Sequence, residues 1–187
     1  MKIRGAVLTT LDAKQPYAES KPIEIQELEL DPPQEGEVLL RITAAGVCHS
    51  DLSVVNGSRP RPLPMLLGHE ATGVVEELGT NVKGLKRGDC VVAVFLPRCG
   101  ECDMCKTEGK LPCSRGSESN AAGYLPGGGK RVRLHDAQGR EVLHHLGVSA
   151  FATHAVVNEI SVVKVGNDVP PEAVSYTHLR AHETDSY

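Results

Sequence analysis

The chain has few aromatic residues: no Trp, two Phe and four Tyr among its 187 residues. A core without large aromatic rings must be built from Val, Leu, Ile and Ala, which bury less apolar area per residue. A bound metal would help to stabilise such a domain. No run of apolar residues approaches the roughly 20 that are needed to span a bilayer, which argues against a transmembrane helix.

The sequence also lacks a strong charge excess and a secretory leader. Its formal net charge is -4 and its pI is about 6.1, so nothing in the composition favours binding to nucleic acid or to an anionic membrane. The first residues, MKIRGAVLTTLDAK, contain no apolar stretch of ~7–15 residues and no cleavage site. We therefore expect a cytoplasmic protein whose six cysteines stay reduced and act as metal ligands or free thiols.

Short segments of alternating apolar and polar residues, separated by Gly and Pro, predict a mainly β fold of the barrel or sandwich type. A two-turn helix is predicted from Cys48 to Val55, and the stretch 114–147 is predicted to be largely loop. The predicted strands cover residues 2–9, 23–30, 37–43, 71–78, 89–95, 152–157 and 160–165. The alternation in residues 23–30 predicts a half-buried strand with one apolar face toward the core.

Four cysteines follow the spacing Cys-x2-Cys-x2-Cys-x7-Cys, at Cys99, Cys102, Cys105 and Cys113. Two residues between thiolates allow a tight turn to bring both sulfurs to one ion, and four thiolates around zinc leave no open position, which is typical of a structural site. Disulfides are an alternative that a reducing cytosol disfavours. An iron–sulfur cluster is another, although the ferredoxin spacing has three residues before its last Cys and a Pro after it.

A second candidate metal site, made of one cysteine and one histidine, lies upstream. Cys48 follows a predicted strand in GVCHSD, and His69 precedes one in LGHE. They match two of the three protein ligands of a catalytic zinc, which keeps its fourth position for water or substrate. Taken singly, such residues are more often a small core hydrophobe and a hydrogen-bonded histidine. The remaining candidates are interpreted as a core cysteine, Cys90, and as loop or surface histidines, His144, His145 and His154.

GVCHSD, LGHE and the four-cysteine spacing, in this order, resemble the zinc-dependent alcohol dehydrogenases of the medium-chain dehydrogenase/reductase superfamily. The resemblance covers residues 1–173 and implies a catalytic domain with a GroES-like, partly open β-barrel and a structural zinc lobe. It implies oxidation of a small alcohol to an aldehyde or ketone by hydride transfer to NAD or NADP, with zinc as the Lewis acid. It also implies a homo-oligomeric full-length protein.

The resemblance gives each motif residue a role. The implied roles are catalytic zinc ligation by Cys48 and His69, orientation of the His69 ring by Asp51, ligand exchange at the metal by Glu70, the start of the proton relay at Ser50, contact with the cofactor pyrophosphate by His49, and a wall of the substrate pocket at Phe95. In some members a histidine three residues after the relay hydroxyl completes the proton path. Ser53 stands at that position here, so a water or another base is required.

Two expected parts are missing from the sequence. No Gly-x-Gly-x-x-Gly follows a strand, so the nicotinamide-binding Rossmann domain is absent, and no Cys follows Cys113 to complete the catalytic zinc site. Residues 174–187 resemble the conceptual translation of a transposase adapter used in sequencing libraries, which predicts a non-native tail. The alternative is that His178 or His182 replaces the missing ligand. We therefore expect this chain alone to be inactive.

Other functions stay open on the residues alone. One is a thiol-dependent formaldehyde dehydrogenase of the same superfamily. Another is a non-catalytic zinc-binding GroES-like module, which would hold zinc only at the four-cysteine site. A zinc-free quinone reductase is disfavoured, because it would need neither that site nor Cys48 with His69.

Overall fold

The structure is a computed structural model that describes residues 1–11, 13–134, 139–166, 168 and 170–171. Three α-helices occur in this part of the chain: α1 (Tyr17–Ser20), α2 (His49–Val55) and α3 (Ser114–Ala122). Its strands are β1 (Lys2–Leu8), β2 (Ile23–Leu30), β3 (Glu37–Gly46), β4 (Met65–Leu66), β5 (Glu70–Leu78), β6 (Cys90–Ala93), β7 (Val132–Leu134), β8 (Glu141–His144), β9 (His154–Asn158) and β10 (Val162–Val165). Short 3₁₀ turns cover Cys105–Thr107 and Glu159–Ser161.

The strands form two sheets. The first closes on itself in the order β1-β2-β7-β8-β4, with β4 returning to pair with β1. The second stays open, in the order β10-β6-β5-β3-β9. Among the described strands the pairing is antiparallel everywhere except between β4 and β8, so this part of the chain contains no Rossmann series of parallel strands. The predicted mainly β, partly open barrel is confirmed.

The core lies between the two sheets and is aliphatic. Its largest cluster joins buried residues of the closed sheet, such as Val7 and Leu28, to Leu39 and Val156 of the open sheet. On another face of the open sheet, a second cluster packs around Val38 and is built from Val, Leu and Ala. Aliphatic packing without large aromatic rings is what the composition led us to expect.

A third cluster holds helix α2 in place. Val54 and Val55, at the end of α2, are buried against Leu8, Met65 and Leu67 of the closed sheet and the segment that follows it. Burying a valine side chain contributes roughly 1.5–3 kcal/mol. This packing fixes the position of the polar first turn of α2, which carries the predicted site residues.

The strand predictions are confirmed in outline, but one was wrong about which residues face the core. We expected Ile23–Leu30 to bury a single face. Instead Leu28 and Leu30 are buried, whereas Ile25 is 72% exposed. Gln26 and Glu27 stand next to each other, so the apolar phase shifts by one residue within the strand, and a shift of one residue moves the apolar side chains to the other face.

The predicted loop at 114–147 was also wrong, because it contains α3, β7 and β8. Helix α3 has the polar sequence SRGSESNAA, which shows no apolar stripe. It ends at Gly123, whose φ of 76° is the left-handed conformation that commonly terminates helices. Strands β7 and β8 have three and four residues, too few for an alternation to be recognised.

The proposed boundary near residue 174, the tail 174–187, and the candidate ligands His178 and His182 all lie outside the described residues. No helix in the described part of the chain is both long enough and apolar enough to cross a bilayer.

Candidate functional site

Strand pairing brings Cys48 and His69 together. Strands β3 and β5 are antiparallel neighbours, and their register places Gly46, the last residue of β3, opposite Glu70, the first residue of β5. The residues just after β3 and just before β5 therefore meet at one edge of the open sheet. The chain turns there from β3 into α2, with Cys48 as the residue that caps the helix.

Gly68, the residue before His69, permits a close approach between two backbone segments. Its φ is 97°, a conformation that L side chains rarely adopt, and a Cβ atom there would lie 2.5 Å from the backbone nitrogen of Phe151. Only glycine permits that approach. The backbone is thus constrained immediately before His69.

Ser50, Cys48, His69 and Glu70 form a compact polar group. The hydroxyl of Ser50 lies 3.2 Å from the Cys48 Sγ and 3.2 Å from the His69 Nε2. Glu70 Oε1 lies 3.1 Å from the same His69 nitrogen. One ligand atom from each of Cys48, His69 and Glu70 falls within 4.8 Å of the others, so the three residues can hold one metal ion.

The Glu70 carboxylate is an unusual member of this group. Its side chain is buried, and neither oxygen has an aligned hydrogen-bond donor among the described residues. A buried carboxylate normally has hydrogen-bond donors or a cation beside it, because removing its charge from water is costly. The arrangement therefore suits a cation among these three side chains.

Asp51 contacts the other ring nitrogen of His69, Nδ1, and thereby orients the ring. Its Oδ1 lies 3.3 Å from the His69 Nδ1 and 3.3 Å from the His145 Nδ1, while its Oδ2 accepts the Cys48 N–H at 3.1 Å. Burial raises the pKa of Asp51, but its hydrogen bonds with His145 and His69 outweigh burial and hold that pKa well below the usual range. The ionised Asp51 therefore favours an Nδ1–H tautomer of His69, which leaves the Nε2 lone pair free.

His144 and His145 correct the prediction of loop or surface histidines. Both are buried, with exposed fractions of 1% and 2%. His144 ends strand β8 and points inward, and His145 packs edge-on against His69 with ring centroids 5.1 Å apart. His154, by contrast, is half-buried on β9, and Cys90 is half-buried at the start of β6 rather than within the core.

A cavity of about 540 Å³ opens onto the site. Cys48, Ser50, His69 and Glu70 line it, together with Phe95 and His145. Phe95 packs edge-on against His69, with centroids 5.3 Å apart, and its carbonyl accepts a hydrogen bond of 2.8 Å from Asn120 of α3. The volume is in the range of small-molecule sites. His49 does not line this cavity; it lies exposed at the first position of α2.

Arg59 and Arg61 line the same cavity, and neither was singled out from the sequence. Their pattern Arg-Pro-Arg-Pro, in the segment between the two motifs, is a local signal that could have found them. His145 had no such signal, because it reaches the site only through the pairing of β8 with β4.

The four cysteines form a separate site in the loop after β6. The Sγ atoms of Cys99 and Cys105 are 3.9 Å apart, as are those of Cys102 and Cys113, and all four lie within 4.8 Å of one another. Four zinc–sulfur bonds of 2.3 Å in a tetrahedron give sulfur separations of about 3.8 Å. The four thiols therefore fit a zinc ion without rearrangement.

Backbone hydrogen bonds prepare this site for a cation. The backbone N–H of Ser114 is the main cause that lowers the pKa of Cys102, to about 6. Arg98 ties the loop together, since its guanidinium donates to the carbonyls of Leu111 at 3.2 Å and Cys105 at 3.1 Å. Burial raises the pKa of Cys105 to about 11, so Cys102 is the thiol that most favours metal binding at neutral pH, because thiolates are the form that binds metal.

Comparison with known proteins places this chain in one family. Residues 34–167 match the family described as the alcohol dehydrogenase GroES-like domain. The chain is similar to an alcohol dehydrogenase class-3 of Drosophila melanogaster, with 37% identity over 171 residues that make up 91% of this chain and 44% of the relative. The chain therefore spans less than half the length of this curated relative.

Two solved structures have the same fold. An alcohol dehydrogenase zinc-binding domain protein from Burkholderia ambifaria superimposes with a TM-score of 0.79 at 34% identity, over 91% of this chain and 44% of that one. A benzyl alcohol dehydrogenase from Acinetobacter calcoaceticus superimposes with a TM-score of 0.73 at 35% identity, over 94% of this chain and 44% of that one.

Proposed function

The chain belongs to the alcohol dehydrogenase GroES-like domain family, and from that premise we propose that it forms the catalytic part of a zinc-dependent alcohol dehydrogenase. The reaction interconverts a small alcohol and its aldehyde or ketone, with a nicotinamide cofactor as the hydride carrier. The chain spans less than half of its relatives, so this activity is proposed for a protein that also has a nicotinamide-binding domain.

The observation that carries the proposal is the buried contact between His69 and Glu70. With Asp51 holding the proton on Nδ1, the His69 Nε2 and the Glu70 Oε1 both present lone pairs to each other across 3.1 Å. Two acceptor atoms at that distance repel unless a cation or a proton lies beside them. The nearby Cys48 thiol makes the donor set one of sulfur, nitrogen and oxygen, which suits zinc.

Cys48, His69 and Glu70 are the residues that would hold the catalytic ion. Zinc bound there supplies a Lewis acid that lowers the pKa of a hydroxyl group. Asp51 keeps the His69 ring in the orientation that directs its Nε2 lone pair into the cavity. Phe95 supplies an apolar wall that packs against the ring and excludes water from one side.

Ser50 is positioned to take the proton of the substrate alcohol. Its hydroxyl lies within hydrogen-bond distance of two proposed ligand atoms and faces the cavity. The next hydroxyl along the helix does not extend this path, because Ser53 Oγ donates to the His49 carbonyl at 3.1 Å. The proton therefore leaves Ser50 toward water in the cavity, and His49 at the exposed start of α2 is left to contact the cofactor.

The four-cysteine site has a different role in this proposal. Its four thiols complete the coordination of one zinc ion, so no position is left for substrate. It fixes the loop after β6 and, through Cys113, the start of α3. Helix α3 in turn holds Phe95 through Asn120.

Cobalt replacement tests the proposal on this chain without requiring turnover. Cobalt(II) bound by a thiolate absorbs visible light, and its spectrum changes when an added ligand enters an open coordination position. We expect benzyl alcohol or its aldehyde to change the spectrum of the wild type and of Cys99→Ala, but not of Cys48→Ala.

The competing function predicts another result. A non-catalytic zinc-binding module would bind metal only at the four cysteines, and no alcohol or aldehyde would then change the cobalt spectrum. A response that persists in Cys48→Ala would also contradict the proposed site.

A further inference from the structure

Arg59 and Arg61 place two positive charges in the same cavity as Cys48 and His69. Within the described residues neither guanidinium has a hydrogen-bond or ion-pair partner. The contrast with Arg131 is clear, because that guanidinium binds both carboxylate oxygens of Glu37, at 2.8 and 2.9 Å.

Of the two arginines, Arg61 has the stronger need for a hydrogen-bond acceptor. Its Nε atom is buried and has no acceptor in the described part of the chain. A buried donor of a charged group is costly to leave unpaired, and far more so than an exposed one. An acceptor that comes from outside the chain would satisfy it.

The local sequence holds both side chains in position. Helix α2 ends at Val55, and the backbone N–H of Arg59 donates to the Ser53 carbonyl at 2.8 Å, which ties the following segment back to the helix. Pro60 and Pro62 flank Arg61 and restrict the backbone on either side of it. The two guanidiniums therefore project from a constrained segment.

The acidic groups of the cavity do not neutralise these arginines. Glu70 faces His69 at 3.1 Å, and Asp51 is already engaged by His69, His145 and a backbone N–H. The Arg61 charge lies close enough to His145 to add to the effect of burial, which is the main cause of the lowered pKa of that histidine. The cavity thus has an acidic end at Glu70 and an unpaired basic side.

The lining between these ends is largely apolar. It is formed by Val54, Phe95, Leu96, Ala121 and Leu146. A molecule that fills about 540 Å³ of this shape needs a hydrocarbon body with an anionic group at the basic side. A planar guanidinium matches a carboxylate particularly well, because it can donate two parallel hydrogen bonds.

We propose that Arg59 and Arg61 bind the carboxylate of the substrate, so that the preferred substrates are alcohols or aldehydes whose apolar body carries a carboxylate. This inference rests on the proposed function, because the reacting group is then placed at Cys48, His69 and Glu70. The phosphates of the nicotinamide cofactor are the other possible anion. They are assigned to the exposed face at His49, which lies outside this cavity.

The test compares two ligands that differ by one carboxylate, 4-(hydroxymethyl)benzoate and benzyl alcohol. Binding to the zinc-loaded chain is measured by calorimetry at low ionic strength, after the zinc content of each sample has been determined. The variants are Arg59→Gln, Arg61→Gln and the charge-conserving Arg61→Lys. Arg87→Gln is the matched control, since it removes the same charge from the segment just before β6, outside this cavity.

We expect the carboxylate ligand to bind the wild type at least about tenfold more tightly than benzyl alcohol, as charge-assisted hydrogen bonds allow. Arg61→Gln should bring the ratio of the two affinities close to one, Arg59→Gln and Arg61→Lys should lower it in part, and Arg87→Gln should leave it unchanged. Zinc content should stay at the wild-type value in all four variants, which shows that the site is still folded.

Several results would overturn the inference. Equal affinity of the two ligands for the wild type, or an equal loss in Arg87→Gln, would refute it while leaving the proposed function intact. So would binding of inorganic pyrophosphate that is tighter than binding of the carboxylate ligand and is lost in Arg61→Gln, because the anion bound there would then be the cofactor's phosphates. If zinc fills the catalytic site and neither ligand binds, both proposals are wrong.

Discussion

The His144→Gln substitution should make the stability of the domain less dependent on pH. His144 is fully buried at the end of β8, and its Nε2 accepts the backbone N–H of Arg131 at 3.1 Å. Burial, and then the nearby Arg131 charge, lower the pKa of His144 to about 3. The folded protein therefore keeps this ring neutral at every pH at which it is normally handled.

The size of the effect follows from the difference between the folded and unfolded states. In the unfolded chain the histidine pKa is about 6.5, so below that pH the unfolded state binds a proton that the folded state does not. The neutral ring therefore costs no stability above pH 6.5, and stability is lost as the pH falls from 6.5 toward 3. At pH 5 the loss amounts to about 2 kcal/mol.

Urea unfolding at pH 7.5 and pH 5, with the zinc content held constant, measures this loss. Glutamine keeps an amide oxygen that can accept the Arg131 N–H but does not titrate. We expect the wild type to lose about 2 kcal/mol more than His144→Gln between the two pH values. Val142→Ala, which removes buried atoms from the same strand, is the control and should be destabilised equally at both pH values.

An equal change for the wild type and His144→Gln would show that the ring is not held neutral by burial. A larger change in the variant than in the wild type would reverse the sign of the argument. Comparing the two proteins at each pH removes any contribution that the zinc sites make to both.

Three further substitutions test how the site is supported. Gly68→Ala should abolish the alcohol response of the cobalt protein, because its Cβ would lie 2.5 Å from the Phe151 nitrogen; an unchanged spectrum would refute this. Asp51→Asn should weaken zinc binding at the catalytic site by roughly 10- to 100-fold, since it removes the carboxylate that orients His69; equal affinity in a zinc competition assay would argue against that role. Glu37→Gln should lower the free energy of unfolding by about 3–5 kcal/mol, because it leaves a largely buried Arg131 without its carboxylate. A free energy of unfolding, measured with urea, that falls by only ~1 kcal/mol or less would contradict this, because that is the loss typical of an exposed ion pair.

The sequence was sufficient to predict the longer strands and to single out the two candidate metal-binding motifs, because both signals are local. Alternation over several residues marks β3 and β5, and the spacing of the cysteines within 15 residues marks the four-cysteine site. The zinc roles of Cys48 and His69 stay predictions. What the structure adds is the β3–β5 register that brings the two residues to the same edge.

The parts that could not be predicted depend on contacts between distant segments. His145 meets Asp51 and His69 only because β8 pairs with β4, far from both in sequence. Helix α3 has no apolar stripe; its position is set by the cysteine loop before it and by the hydrogen bond from Asn120 to Phe95. Local patterns contain no information about such contacts, since they arise from the packing of the whole domain.

Counting zinc in the purified protein tests the central claim most directly. The claim is that Cys48, His69 and Glu70 form one metal site and the four cysteines form another. We predict two zinc ions per wild-type chain, one in Cys48→Ala and one in Cys99→Ala, measured by elemental analysis after gel filtration in metal-free buffer. A single zinc ion in the wild type that Cys48→Ala leaves in place would contradict the claim.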